Sequence, residues 1–345
     1  MTGGDPEQPI DPVLRSARMH RAVGLDAPSR DRFDVEASAG VAHDRSVRWW
    51  RAMGFPEVPE SVAAFSDVDV AMVRRLATML ESGLVDDDSV MRLARLLGAS
   101  FSRIADAQLD LMEAVVGAGA SESLLEAVEG GYLELFEVSM VYVWRRHLLA
   151  ALGRRVGDGD DQADQAVGFA DLSGFTKLSQ RLTVDELGAV VDAFELTAFD
   201  VVAQHHGRVV KLIGDEVMFV ADSLDIAVDI ALGLVSRLAE IDEMPPIHCG
   251  IAFGPTVGIG GDVFGATVNL ASRLTSVSRP GTIVVPREGA DDLFERDDVI
   301  VRRVRRSYDL KGMGSTKIVV LRPVSPDDDE GDDEGDDDDE SGSSS

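Results

Sequence analysis

The feature that most constrains this chain is a change of hydrophobic period near its middle. Up to about Leu152 the apolar residues recur at helical spacing. After a short acidic stretch at 157–165 (GDGDDQADQ), short apolar runs bounded by turn residues take over. In the first half, Ser66 and Asp69 form a capping box ahead of the stripe Val73, Leu76, Ala77 and Leu80. Asp88 or Ser89 is expected to cap the next helix, whose stripe is Val90, Leu93, Ala94 and Leu97. Gly83, Gly98, Gly117, Gly119 and the pair Gly130–Gly131 punctuate the region at helix-length intervals, and a last helix starts near Leu133 and passes Trp144 and Leu149. The expectation is a helical bundle over 1–155. Met91–Leu97, Gly98 and Phe101–Ile104, with Arg92, Arg95 and Arg103, also loosely resemble a helix-turn-helix.

The second half reads as strand 167–170, helix 184–205, strands 208–212 and 217–221 around Gly214–Asp215–Glu216, helix 226–241 and strand 247–253. That β-α-β-β-α-β order is the ferredoxin-like arrangement, so the fold class is α+β behind an all-α domain. A helix over 266–277, a strand over 282–285 and a hairpin around 312–315 complete it. The expected boundaries are 1–155, a linker at 156–165, a second domain at 166–324, and an acidic, serine-rich tail at 325–345 that composition marks as disordered.

Charge narrows the partners. The chain carries a formal −29, and 12 acidic side chains between 327 and 340 leave −17 on the remainder. Such acidity argues against nucleic-acid binding, which needs clustered cations. No apolar run approaches the roughly 20 residues that span a bilayer, and Cys249 is the sole cysteine. A soluble, cytoplasmic, reduced protein is expected, with no membrane partner. Only four of its 33 basic residues are lysines, namely Lys177, Lys211, Lys311 and Lys317.

Three local patterns carry chemistry. Asp171 ends an apolar strand just before Leu172-Ser173-Gly174, where a carboxylate beside turn amides suits Mg²⁺ and polyphosphate, or caps a helix. Asp215 lies in a tight hairpin between two apolar strands, and one sheet can bring it to Asp171, a pairing suited to two shared metal ions. Asn269 and Arg273 fall one helical turn apart, a planar cation and a neutral hydrogen-bonding group on one face. His205, His206 and His248 read as structural or surface residues, and Cys249 as a buried small hydrophobe.

Together these pieces resemble the catalytic domain of the class III nucleotide cyclases, over about 165–324. The resemblance implies that ATP is converted to cyclic AMP. It implies that Asp171 and Asp215, with the Leu172 carbonyl, hold two Mg²⁺ or Mn²⁺ ions per active site. Lys211 and Asp262 then select adenine, Lys211 donating to N1 and Asp262 accepting from the N6 amino group. Asn269 positions the ribose and Arg273 stabilises the transition state. Lys311 is a candidate for the terminal phosphates, with a solvated strand-end lysine as the alternative. The family builds its sites between two catalytic domains, so a homodimer with two composite sites is implied. The helical half resembles the regulatory domain of soluble actinobacterial adenylate cyclases through Arg51-Ala52-Met53-Gly54-Phe55-Pro56 and the stretch 76–111. That implies dimerisation and control of the catalytic domains, with a switch helix near 145–156. A pH response through His147 is one expectation there, and a helix histidine with no such role is the other. The competing functions are a catalytically silent nucleotide-binding module, a nucleotide-sensing DNA-binding regulator, and a guanylate cyclase. Lys211 and Asp262 disfavour the last.

Overall fold

In the computed structural model the described residues are 12–117, 121–158, 164–310 and 312–324. Lys311, the tail at 325–345 and positions 159–163 of the expected linker lie outside them. The chain divides into two compact units, Met1–Arg154 and Arg155–Ser345.

The first unit is helical: α1 (Pro12–Ala22), α2 (Arg32–Ala39), α3 (His43–Ala52), α4 (Asp67–Glu81), α5 (Asp87–Val116), α6 (Ser121–Ala127) and α7 (Leu133–Asp158). The capping box at α4 forms: the Asp69 carboxylate accepts from the Ser66 amide at 2.7 Å and the Ser66 hydroxyl at 2.8 Å. The apolar stripe of α4 packs Val73, Leu76, Ala77 and Leu80 around Trp49 and Val41.

Two expectations fail at α5. Its cap is Asp86, whose carboxylate accepts from the Ser89 amide at 2.6 Å, rather than Asp88 or Ser89. Gly98 does not break the helix, so the helix-turn-helix reading of 91–104 is wrong: that stretch is the interior of one 30-residue helix. A Cβ at Gly98 would lie 2.2 Å from the Met53 carbonyl oxygen, so glycine is there to let α5 reach the end of α3. Between α6 and α7 the chain kinks within Val128–Tyr132, where Gly131 takes the non-helical φ +99°.

The second unit holds β1 (Asp164–Leu172), α8 (Phe175–Leu178), α9 (Val184–Gln204), β2 (Arg208–Ile213), β3 (Glu216–Ala221), α10 (Leu224–Ala239), β4 (Ile247–Pro255), β5 (Val257–Ile259), β6 (Asp262–Phe264), α11 (Ala266–Val277), β7 (Ile283–Pro286), β8 (Val299–Arg303), β9 (Tyr308–Leu310), β10 (Gly314–Thr316) and β11 (Ile318–Pro323). Seven strands form one sheet in the order β2-β3-β1-β4-β7-β11-β8, and β5–β6 and β9–β10 are separate hairpins. Strands β2, β3, β1 and β4 pair antiparallel in the ferredoxin-like order expected from the sequence.

The two long helices α9 and α10 start where a side chain satisfies their open amides. Thr183 and Glu186 form a reciprocal box at α9, and Ser223 caps α10. One core lies between the sheet and α9–α10, built on Phe194, Phe219, Ile230, Leu234 and Ile251. Burying each such side chain is worth about 1.5–3 kcal/mol. On the opposite face α11 packs through Ala271 and Leu274. A Cβ at Gly250 would lie 2.1 Å from the Thr275 amide nitrogen, so this glycine sets how closely α11 approaches β4.

Candidate active site

Strand parity decides which side chains meet. Ala166, Ala170 and Leu172 of β1 enter the core beneath α9 and α10, which turns Asp171 to the α11 face. On β3, Val217 and Phe219 enter that core, so Glu216 also faces α11, and His248 does so on β4 between Ile247 and Cys249. Asp171 is the register partner of both Glu216 and His248. Lys211 on β2 pairs with Met218, itself part of the core under α11.

Asp215 reaches this group through the two-residue turn between β2 and β3. Gly214 takes φ +66° at its first position, a conformation that glycine adopts without penalty. The Asp215 carbonyl accepts from the Leu172 amide at 3.1 Å, which ties the hairpin to the end of β1. Burial, followed by the nearby Asp215 charge, pushes Asp171 up to about 6. Burial, then the charges of Asp171 and Asp215, push Glu216 up to about 7, with Lys211 opposing.

His248 places Nε2 3.4 Å from Asp171 Oδ2 and Nδ1 2.9 Å from the Ser173 hydroxyl. Burial holds its pKa below the ordinary imidazole range, with the Asp215 charge opposing. His248, read from the sequence as a structural or surface residue, thus lies against Asp171. Buried Cys249 behaves as expected, its thiol pushed up by burial.

These residues fit a divalent cation. Carboxylates held together against their own repulsion, two of them with raised pKa values, are what a bound cation relieves. Mg²⁺ is characteristically held by one or two carboxylates and completed by water and substrate phosphates. Among the described residues no set of three His, Cys, Asp or Glu side chains forms a cation cage.

The second group is an ion pair: Lys211 Nζ lies 2.7 Å from Asp262 Oδ2. The β5–β6 hairpin supplies Asp262, whose other oxygen accepts from the Val263 amide at 2.8 Å. The third group stands apart. Asn269 and Arg273 are exposed on α11, opposite the buried Thr267, Ala271 and Leu274. Neither side chain has a hydrogen-bond or ion-pair partner among the described residues. The chain thus joins Asp171 to Asp215 and Lys211 to Asp262, and leaves Asn269 and Arg273 facing solvent. Sequence reasoning missed Glu216 and His248 as neighbours of Asp171, although strand parity relative to Asp171 could have found both.

Comparison with known proteins gives these groups a setting. The family model described as "Adenylate and Guanylate cyclase catalytic domain" matches residues 160–323. An adenylate cyclase of Streptomyces coelicolor is 42% identical over 276 residues, covering 77% of this chain and 72% of the relative. An adenylate cyclase of Streptomyces griseus is 41% identical over the same length, covering 77% and 69%. A protein of Mycobacterium tuberculosis named a pH-sensitive adenylate cyclase is 29% identical over 344 residues, covering 88% of this chain and 85% of its own. These likenesses extend well beyond the cyclase segment into the helical unit. Among the described residues no helix is long and apolar enough to cross a membrane.

Proposed function

The chain belongs to the adenylate and guanylate cyclase catalytic-domain family, and from that premise we propose that it converts ATP to 3′,5′-cyclic AMP and pyrophosphate at sites shared by two copies of itself. The observation that carries this reading is the Lys211–Asp262 pair, with Lys211 on the sheet face that also carries Asp171. A donor beside an acceptor matches adenine N1 and its N6 amino group. Guanine inverts both positions and leaves charged groups unpaired.

Asp171, Asp215 and the Leu172 carbonyl hold the divalent ions, two per site. Those ions supply acidification of the ribose 3′-hydroxyl and neutralisation of triphosphate charge. Asn269 fixes the ribose so that its 3′-oxygen lies in line with the α-phosphorus. Arg273 donates to the α-phosphoryl oxygens as that group inverts, which in a site closed from water is a large electrostatic contribution. Lys311, outside the described residues, is proposed for the terminal phosphates.

The solvent-facing pose of Asn269 and Arg273 supports a shared site, because groups that act on phosphate and sugar have no partner within their own chain. The helical unit supports dimerisation independently. Along α7 the side chains of Leu135, Val138, Tyr142, Trp144, Leu149 and Leu152 are all exposed, and so much exposed apolar surface on one helix is of the kind that an assembly covers. We assign residues 1–155 to dimerisation and control, and 166–324 to catalysis. The relative named as pH-sensitive favours a pH response carried by the helical unit, with exposed His147 on α7 as the candidate group.

The test is cyclic nucleotide formation from ATP and from GTP with Mg²⁺ or Mn²⁺, run beside Asp215→Ala. Cyclic AMP from the unaltered chain alone supports the proposal. Product from GTP in preference makes it a guanylate cyclase, and no product at any pH favours the silent nucleotide-binding module. An unchanged pH profile after deletion of 1–155 removes the regulatory part.

A further inference from the structure

Three strands away from Asp171, the α11 face of the sheet carries a different surface. On β8 and β11, Val299, Val301, Val319 and Leu321 enter the core beneath α9 and α10. The alternate positions, Ile300, Arg302, Val320 and Arg322, therefore face the other way. In the register Val320 opposes Arg302 and Arg322 opposes Ile300. Past the C-terminal end of α11 this face is a groove of about 660 Å³, lined by Arg279, Arg302, Arg305, Arg306, Arg322 and Tyr308 on an apolar floor.

Five arginines in one groove are out of keeping with a chain of net charge −29. Among the described residues, no carboxylate lies within ion-pair distance of Arg279, Arg302 or Arg305. Arg306 instead donates to the Tyr308 hydroxyl at 2.9 Å and stacks over its ring. The guanidinium groups of Arg279, Arg302 and Arg305, gathered with no carboxylate at ion-pair distance among the described residues, repel one another, and an anionic occupant relieves that repulsion. The occupant has to bear many negative charges spread along the groove.

The chain itself carries such a segment, and it starts beside the groove. Strand β11, which supplies Val320 and Arg322, ends at Pro323, and the first of the 12 acidic side chains is Asp327. At about 3.5 Å per extended residue, residues 327–340 can run the length of any groove of this size. We infer that the acidic segment 327–340 docks in the arginine groove of its own chain. Its carboxylates exchange among the guanidinium groups without needing a fixed fold, and the segment occupies a surface open to other polyanions. Such contacts are solvent-accessible and screened, so the docking weakens steeply with salt.

The test uses the full chain and phenylglyoxal, an arginine-selective reagent, with modification mapped by mass spectrometry. The native protein is compared with one in which the acidic residues of 327–340 are replaced by their amides. In low salt, Arg302 and Arg305 are expected to react several-fold more slowly in the native chain, while exposed Arg181 reacts equally in both. Raising salt to about 1 M, where the screening length is about 3 Å, removes the difference. Equal rates at Arg302 and Arg305 in the two proteins overturn the inference. So does protection that survives neutralisation and grows with protein concentration, because that assigns the groove to a second copy.

Discussion

Lys211 Nζ and Asp262 Oδ2 lie 2.7 Å apart although 51 residues separate them in sequence, so the proposed base-reading donor and acceptor are paired with each other before any base arrives. Both side chains keep about a third of their surface in solvent, and an ion pair of that kind is worth little, so a base can open it cheaply. Replacing Lys211→Glu together with Asp262→Ser inverts the pattern, giving an acceptor for guanine N1–H and a donor for its O6. Two charge-assisted hydrogen bonds at about 1.5–3 kcal/mol each correspond to a loss of about 10²- to 10⁴-fold in the ATP-over-GTP ratio of kcat/KM. Steady-state kinetics on both nucleotides measures it.

The raised pKa values of Asp171, about 6, and Glu216, about 7, set a direction for stability. Both exceed the ordinary carboxylate values, so between about pH 4 and 7 the folded chain binds more protons than the unfolded one. Without divalent ions, this cluster therefore loses stability as pH rises through that window. Asp215→Asn removes a charge that raises both groups, so its thermal midpoint is expected to fall less steeply between pH 5 and 8. Added Mn²⁺ flattens the native profile in the same direction. Parallel melting curves for the two proteins contradict this account of the cluster.

Arg273 faces solvent and supports no packing in its own chain, so Arg273→Ala is expected to leave the thermal midpoint unchanged. Loss of a group that acts mainly in the transition state costs about 10²- to 10³-fold in kcat. Metal-dependent stabilisation persists, because the carboxylates are untouched. A shift confined to KM would reassign Arg273 to ground-state binding.

Gly98 gives a prediction of opposite sign to the general rule. In an exposed helix interior Gly→Ala stabilises by about 0.5–1 kcal/mol. Here the new Cβ would lie 2.2 Å from the Met53 carbonyl oxygen, so Gly98→Ala is expected to lower stability by about 1–3 kcal/mol. Denaturant melts of the full chain decide the sign.

That glycine also marks where the sequence stops being legible. A glycine that ends a helix and one that lets a helix touch another backbone look alike in one dimension, which is how a helix-turn-helix was read into 91–104. The β-α-β-β-α-β order was legible because its strands are short apolar runs between clear turn and cap residues. Asp171 and Asp215 stood out for the same reason, as charges at the ends of such runs. Glu216 and His248 did not, since what joins them to Asp171 is the antiparallel register of three strands, fixed by pairing across 45 and 77 residues. The arginine groove is likewise made by register, from residues that look like scattered surface charge along the chain.

The most direct test of the shared site mixes two inactive proteins. Asp215→Ala lacks a metal ligand but keeps Arg273, and Arg273→Ala keeps the metal ligands. In a 1:1 mixture with random subunit exchange, half of the dimers are mixed and each has one intact site, giving about a quarter of the native rate of cyclic AMP formation. The account expects each variant alone to be nearly silent and the mixture to recover about that fraction. A mixture as silent as its components, under conditions where the unaltered chain is active and subunits are shown to exchange, would contradict it.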